Sequence, residues 1–549
     1  MLRFSVVVMI TMLGMALASM VANGGDSGIS AASKSKTTIR KVVVGNPQDP
    51  DALPREIQDA YDNGARMIVI HPGVYLLPKL GHAIFTLQGW TDTTLSAYGC
   101  TMILQDTDGG NDAFDLRNCT RVTLKGPTLS QNVVTFYQGR VVEVGQDANG
   151  KAWCDWKPDT GYPVPPANTT QFPGGANVVD KKTRMLKLGN GDFWSPPMEY
   201  IGNGVFRIHF NQPKLNFGVG DWIVGRYGNP PFKVFLDHCR DCTVRDVTMM
   251  RNGFAPLRED GGGGNHIIHC IWTLGPKPIG ATENPVVTNA ADGIHSTGTN
   301  PGPDLEDCVF KGVFLDDCIA IHGNFQTVKS ATGNTMVVES GYAKLKVGEP
   351  ARISDNKGFF AQAMVTAIKD NEDKTFTVTL DKSLNVPAGA KVSNPDADGQ
   401  GCKVIGCHLG DTRSRGILIK GSNCIIKDNV IVGCGMPAIS LGPEYYWNEA
   451  DYVWNAKVEG NTLRENGISG YGGAAIYVHG DGAMGNRDIL IKDNKLISNY
   501  DGDIHIEWTD GAIIEGNRIQ DPNPLPTFFT KQPDISIEHS RNITQKGNE

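Results

Sequence analysis

Three carboxylates stand out by their spacing. In the stretch 289–324 (NAADGIHSTGTNPGPDLEDCVFKGVFLDDCIAIHGN), Asp292 is followed 24 residues later by the pair Asp316-Asp317. Acids brought together repel, so at least one holds its proton above the usual range while a neighbour stays ionised. An acid beside a base is what cleavage of a glycosidic bond needs. His295 and His322 flank the acids, where each can hydrogen-bond a sugar hydroxyl or tune a carboxylate. Further on stand Lys420, with Arg413 and Arg415 just before it, and the bulky run Glu444-Tyr445-Tyr446-Trp447. Tyr446 and Trp447 are candidates for stacking on the apolar face of a sugar ring, with Glu444 beside them. Trp508, near Asp503 and Glu507, is a further candidate for the same role.

Something must hold these groups together, and the sequence supplies it as a repeat. The segments IIKDNVIVGCG, KVEGNTLRENG, LIKDNKLISNY and IIEGNRIQDP set Asn429, Asn461, Asn494 and Asn517 at equivalent corners. Cys119, Cys242, Cys308, Cys402 and Cys424 each follow a polar corner and open a short Val/Ile-rich run. Glycine is abundant, at 65 residues, and helix-favouring blocks are scarce. A repeat of roughly 22–25 residues with short strands predicts an all-β, right-handed parallel β-helix, in which each coil buries its neighbour. On such a coil Asp292 and Asp316 fall one rung apart, about 5 Å along the axis. For Asp316 and Asp317 both to act, the pair must sit at a strand edge or bend, because successive residues of a strand face opposite sides.

Two stretches, about 136–232 and 325–397, lack the corner repeat and alternate as antiparallel strands do; they predict small β-barrel inserts. The second begins just after the acid pair and is placed to wall the acids. A helix from Asp51 to Asn63 is expected to cap the first coil. Residues 1–22 have the layout of a secretory signal peptide and 23–40 that of a flexible leader, leaving 41–549 as the β-helix domain. The expected location is therefore secreted or periplasmic, with no membrane span once the signal is removed. Five of the 12 cysteines recur at one corner position, which suits small buried thiols better than a disulfide framework. A net charge of −8 gives no electrostatic reason for a nucleic-acid partner. No metal-ligand spacing accompanies the acids or Cys239-Arg-Asp-Cys242, so neither metal nor other cofactor is expected.

The motifs ADGIHSTG, LDDCIAIHG and GILIKG resemble, in order and spacing, the active-site motifs of the polygalacturonase-like β-helix glycoside hydrolases. The arrangement most resembles glycoside hydrolase family 110, the exo-acting α-1,3-galactosidases, whose β-helix is also interrupted by barrels. This resemblance implies an inverting mechanism, with Asp316 as general acid and Asp292 and Asp317 holding the attacking water. It also implies a substrate-facing role for Lys420. The chain departs from the polygalacturonase pattern at Leu418, where that group has an arginine. Arginine grips a carboxylate through two parallel hydrogen bonds, so its loss tilts the expected sugar from galacturonate to neutral galactose. The rivals are an endo-acting polygalacturonase-like hydrolase or a polysaccharide lyase and, from another class, a non-catalytic carbohydrate-binding or adhesion β-helix.

Overall fold

In the computed structural model the described residues are 39–105, 112–189, 193–228, 232–339, 345–470, 472–521, 526, 529 and 532–549. The expected signal peptide, and all of the leader but its last two residues, lie outside them. From Arg40 onward the chain is a parallel β-helix whose coils contribute strands to three long sheets of 13, 12 and 11 strands. Strands are short because a polar corner interrupts each coil. The residue before each repeating cysteine is left-handed: Asn118 (φ 51°), Asp241 (53°), Asp307 (50°), Gly401 (75°) and Asn423 (58°). Asn, Asp and Gly are the residues that adopt that conformation at least cost, which is why they recur there.

Inside the coils Ile, Leu, Val and Cys stack in one continuous core. All 12 cysteines are free and buried, as small apolar fillers rather than cross-links. The asparagine corners form a hydrogen-bonded column. The Nδ2 of Asn429, Asn461, Asn494 and Asn517 each donates to the Oδ1 of the next asparagine, ending on Asn548, at 2.9 Å throughout. The cap is a helix, α1 (Leu53–Asp62), that buries Leu53, Ile57 and Ala60 against the first coil after a short 3-10 turn.

The 12-stranded sheet carries the candidate site. Its central strands, neighbours in this order, are β1 (Leu257–Asp260), β2 (Ile294–Thr297), β3 (Ile319–Asn324), β4 (Ile417–Ile419), β5 (Ile439–Leu441), β6 (Ile476–Val478) and β7 (Ile504–Glu507). Between β3 and β4 the chain leaves to build the second insert, a closed barrel of six strands between Gln326 and Ser393. The first insert, between Phe136 and Arg226, was also expected to close. Instead its seven antiparallel strands run in an open order from Phe193–Trp194 to Met198–Gly202, over a core that includes Trp156, Phe172 and Phe206. The two end strands are consecutive in the chain and joined through Ser195-Pro196-Pro197, whose prolines have no N–H with which to extend a ladder.

Candidate active site

The register of β2 on β3 decides which acids meet. Ile294 pairs with Ile319 and Thr297 with His322, an offset of one residue from the expected coil length. The residue stacked directly on Asp292 is therefore Asp317, not Asp316. The Asp317 N–H donates to Asp292 Oδ1 at 3.2 Å, and Gly293 N–H donates to Asp317 O at 2.9 Å. Asp316 and Asp317 lie in the bend that precedes β3, which lets the two side chains diverge. One carboxylate oxygen from each of Asp292, Asp316 and Asp317 lies within 4.8 Å of the other two.

The three acids differ in exposure. Asp292 and Asp317 are nearly buried, whereas the Asp316 side chain is 43% exposed. Burial, then the charge of Asp317, raises the Asp292 carboxyl well above its usual range. Although part of the Asp316 side chain reaches solvent, the protein packed around its carboxyl strips water from it, and this desolvation with the Asp292 charge pushes it up to about 8, against the pull of Arg413, whose guanidinium donates to Asp316 Oδ1 at 3.3 Å. Asp317 has donors on both oxygens: the Arg415 N–H at 2.7 Å and the Arg415 guanidinium at 3.4 Å. A group of this size and charge would also suit a cation, yet Arg413 and Arg415 already supply positive charge beside it.

The histidines sit on neighbouring rungs. His295 Nδ1 is 2.8 Å from Asp292 Oδ2, and its ring meets the His322 ring edge-on at 4.9 Å. Burial lowers the pKa of both, so both are neutral at physiological pH. His322 Nδ1 lies 2.6 Å from Gly323 O; its Nε2 is buried without a hydrogen-bond partner, 3.9 Å from Glu449.

Lys420 is fully buried beside this histidine. Its ammonium donates to Gly442 O (3.1 Å) and Glu444 (3.0 Å), with Glu449 at 3.5 Å. Glu444 also accepts from Arg415. Burial alone would raise the Glu444 carboxyl, but Lys420 and Arg415 outweigh it and hold it well below the usual range. Arg415 and Lys420 are thus both engaged by protein carboxylates.

Next to Arg415 opens a cavity of about 390 Å³. Glu444, Tyr446, Trp447, Ser440, Tyr477 and His479 line it, with Asn356 reaching in from the second insert. None of the three acids is in this lining; Arg415, which is in it, donates to Asp317 and so joins the cavity to the acids. Tyr446 is 88% exposed and Trp447 56%, a degree of exposure that no core role explains. Trp508 lies outside the lining and stacks on His539 at 4.6 Å. Sequence reasoning missed Ser440, Tyr477 and His479. Ser440 and Tyr477 are register partners at the middle of β5 and β6, in the same row as Leu418, and the Tyr477 hydroxyl donates to Glu507 at 2.6 Å. The signal was present in the repeated Ile-x-Ile/Val/Leu strands, whose middle residue points outward.

No protein-family model matches the chain. Among solved structures it is similar to a glycoside hydrolase (9% identity, TM-score 0.39, 90% of this chain and 91% of that one). It is similar in the same degree to PfbA, a surface adhesin of Streptococcus pneumoniae (10%, 0.38, 90% and 86%). Among curated proteins it is 22% identical over 278 residues to α-1,3-galactosidase A of Shewanella woodyi, covering 48% of this chain and 46% of that protein. It is 24% identical over 412 residues to α-1,3-galactosidase B of Bacteroides thetaiotaomicron, covering 69% of this chain. The chain spans 64% of that relative's length, less than two thirds of it. In sequence, the chain resembles the α-1,3-galactosidases.

Proposed function

We propose that the protein is a secreted glycoside hydrolase that removes terminal α-linked galactose from a glycan. The observation that carries this is the cluster of Asp292, Asp316 and Asp317 beside an aromatic-lined cavity. Asp316 is the general acid: its carboxyl is pushed up to about 8, and among the three its side chain reaches solvent, where a glycosidic oxygen can meet it. Asp317 and Asp292 hold the water that attacks the anomeric carbon. As the leaving oxygen takes the Asp316 proton, the water gives its own to this pair. The resemblance supports inversion in one step. A neutral sugar is supported by the engagement of Arg415 and Lys420 with Asp317, Glu444 and Glu449, which leaves neither cation to grip a uronate.

One observation favours a second reading of the stereochemistry. In most inverting enzymes the two carboxyl groups stand roughly 6.5–9.5 Å apart, whereas retaining enzymes hold them near 5 Å. The oxygens here lie within 4.8 Å, which suits a retaining, two-step route through a glycosyl ester on one of the acids. The test is to follow the anomer first released from α-1,3-linked galactobiose by proton NMR. β-Galactose supports inversion and α-galactose the double displacement, while no release from any α-galactoside sinks the hydrolase reading. A lyase is tested separately on galacturonan, where β-elimination would leave an unsaturated uronate at the new end; neutral galactobiose lacks the carboxylate that makes its C5 proton acidic. Activity lost to a chelator would show that the acids need a cation.

A further inference from the structure

The first insert meets the acid cluster at Arg413. Trp194, at its edge, is 62% exposed, and the Arg413 guanidinium lies over its ring at 5.1 Å. The same guanidinium donates to Asp316. An exposed tryptophan one guanidinium away from the acid is an unusual placement for a side chain with no binding role, because so large an apolar face is otherwise buried.

The insert is fixed where it stands. Leu186 N–H donates to the buried Asp411 carboxylate at 2.8 Å, two residues before Arg413, and Gly189 N–H donates to Ile468 O at 2.8 Å. A second residue of the insert, Arg226, lies over Phe254 at 4.6 Å; burial lowers its pKa, against the pull of the Asp316 and then the Asp292 charge. Gly175 pairs with Trp194, and Asn177 pairs with Val224. Carried on by two residues, that register sets Arg226, Gly175 and Trp194 in one row. Partners across an antiparallel ladder point to the same face. The middle position of the row, Gly175, has no side chain to stand between the tryptophan and the arginine.

We infer that Trp194 is the stacking platform for the sugar on the leaving-group side of the scissile bond, with Arg226 as a hydrogen-bond donor to its hydroxyls. This rests on the hydrolase reading and on Asp316 as the acid, since the leaving sugar lies on the acid's side. The first insert then selects the penultimate unit of the glycan, while the Tyr446–Trp447 wall and the cavity take the terminal galactose.

The full chain, as wild type, Trp194→Ala and Trp194→Phe, is compared on two substrates. α-1,3-Linked galactobiose has a sugar on the leaving side, and α-galactosyl fluoride has none. Trp194→Ala is expected to lower kcat/KM for the disaccharide about tenfold, mostly through KM, and to leave the fluoride unchanged. Trp194→Phe is expected to recover most of the loss. An equal loss on both substrates, or no loss on either, overturns the platform. Wild type inert on both substrates overturns the hydrolase reading instead. The platform is then judged by titrating galactobiose and free galactose into the same proteins: weaker galactobiose binding by Trp194→Ala, with galactose unaffected, supports it, and equal binding refutes it.

Discussion

Asp317 donates its backbone N–H to Asp292 across one rung of the helix, at 3.2 Å. That bond ties the two buried acids into a unit and leaves Asp316, their neighbour at the bend, facing outward with Arg413. The division of labour proposed for them, acid and water-holding pair, rests on this one-residue register.

Replacing Asp316 by Asn keeps the shape and removes the transferable proton. General acid catalysis contributes roughly 10²–10⁴-fold, so kcat on an unactivated α-galactoside is expected to fall by about 10³ with the far-ultraviolet spectrum unchanged. A loss smaller than about tenfold would assign the acid elsewhere.

The pH dependence has a definite sign. Asp316 keeps its proton up to about 8 in the folded protein, against an ordinary value of 3.8. Activity that needs this proton falls on the alkaline side, above about pH 8, and that limb should vanish from the residual rate of Asp316→Asn. The folded state also binds more protons than the unfolded one between these two values, so this group's contribution to stability is present below pH 4 and lost as pH rises to 8. Asp316→Asn should therefore raise Tm at pH 8 relative to wild type, by about 1 °C or more, and have little effect at pH 4. The opposite order in a calorimetric series would refute the assignment.

Lys420 is buried among Glu444, Glu449 and Gly442 O. Lys420→Met leaves carboxylates uncompensated, and breaking a buried pair from one side costs about 3 kcal/mol. Urea unfolding should show that loss, and Lys420→Met/Glu444→Gln should recover part of it. If the single variant is as stable as wild type, the Lys420 pairs contribute no net stability.

The asparagine column makes a separate structural prediction. Asn461 accepts from the backbone and side chain of Asn429 and donates to Ile426 O and Asn494. Asn461→Ala strands several buried polar groups, each costing roughly 1–3 kcal/mol. A loss of about 3 kcal/mol in a denaturant titration is expected, with kcat/KM near wild type once the protein is folded.

The architecture was legible because its signals are local. A left-handed corner demands Asn, Asp or Gly, and a cysteine or β-branched residue follows it into the core, so the coils announce themselves in the chain. Asp292, Asp316 and Asp317 were legible for the same reason, as a spacing of one coil. The exact register was not: a coil one residue longer than the estimate exchanges Asp316 for Asp317 as the rung partner of Asp292. Trp194 and Arg226 left no trace, since they arrive from an insert whose docking depends on contacts such as Leu186 to Asp411, distant in sequence. Lys420 carried a recognisable motif, but only three dimensions show that Glu444 and Glu449 occupy its ammonium.

The barrel that separates β3 from β4 also sets a timetable. Asp317 and Arg415 meet across 98 residues of chain. At a synthesis rate of about 5–20 residues per second, roughly 5–20 s pass between the emergence of the acids and of the arginines that offset their charge. In that interval the coil bearing Asp292, Asp316 and Asp317 lacks both Arg413 and Arg415, while the whole of the second barrel has already been delivered. The nascent chain thus carries three clustered acids before the arginines that bind two of them arrive, and the barrel is the element that can fold in between.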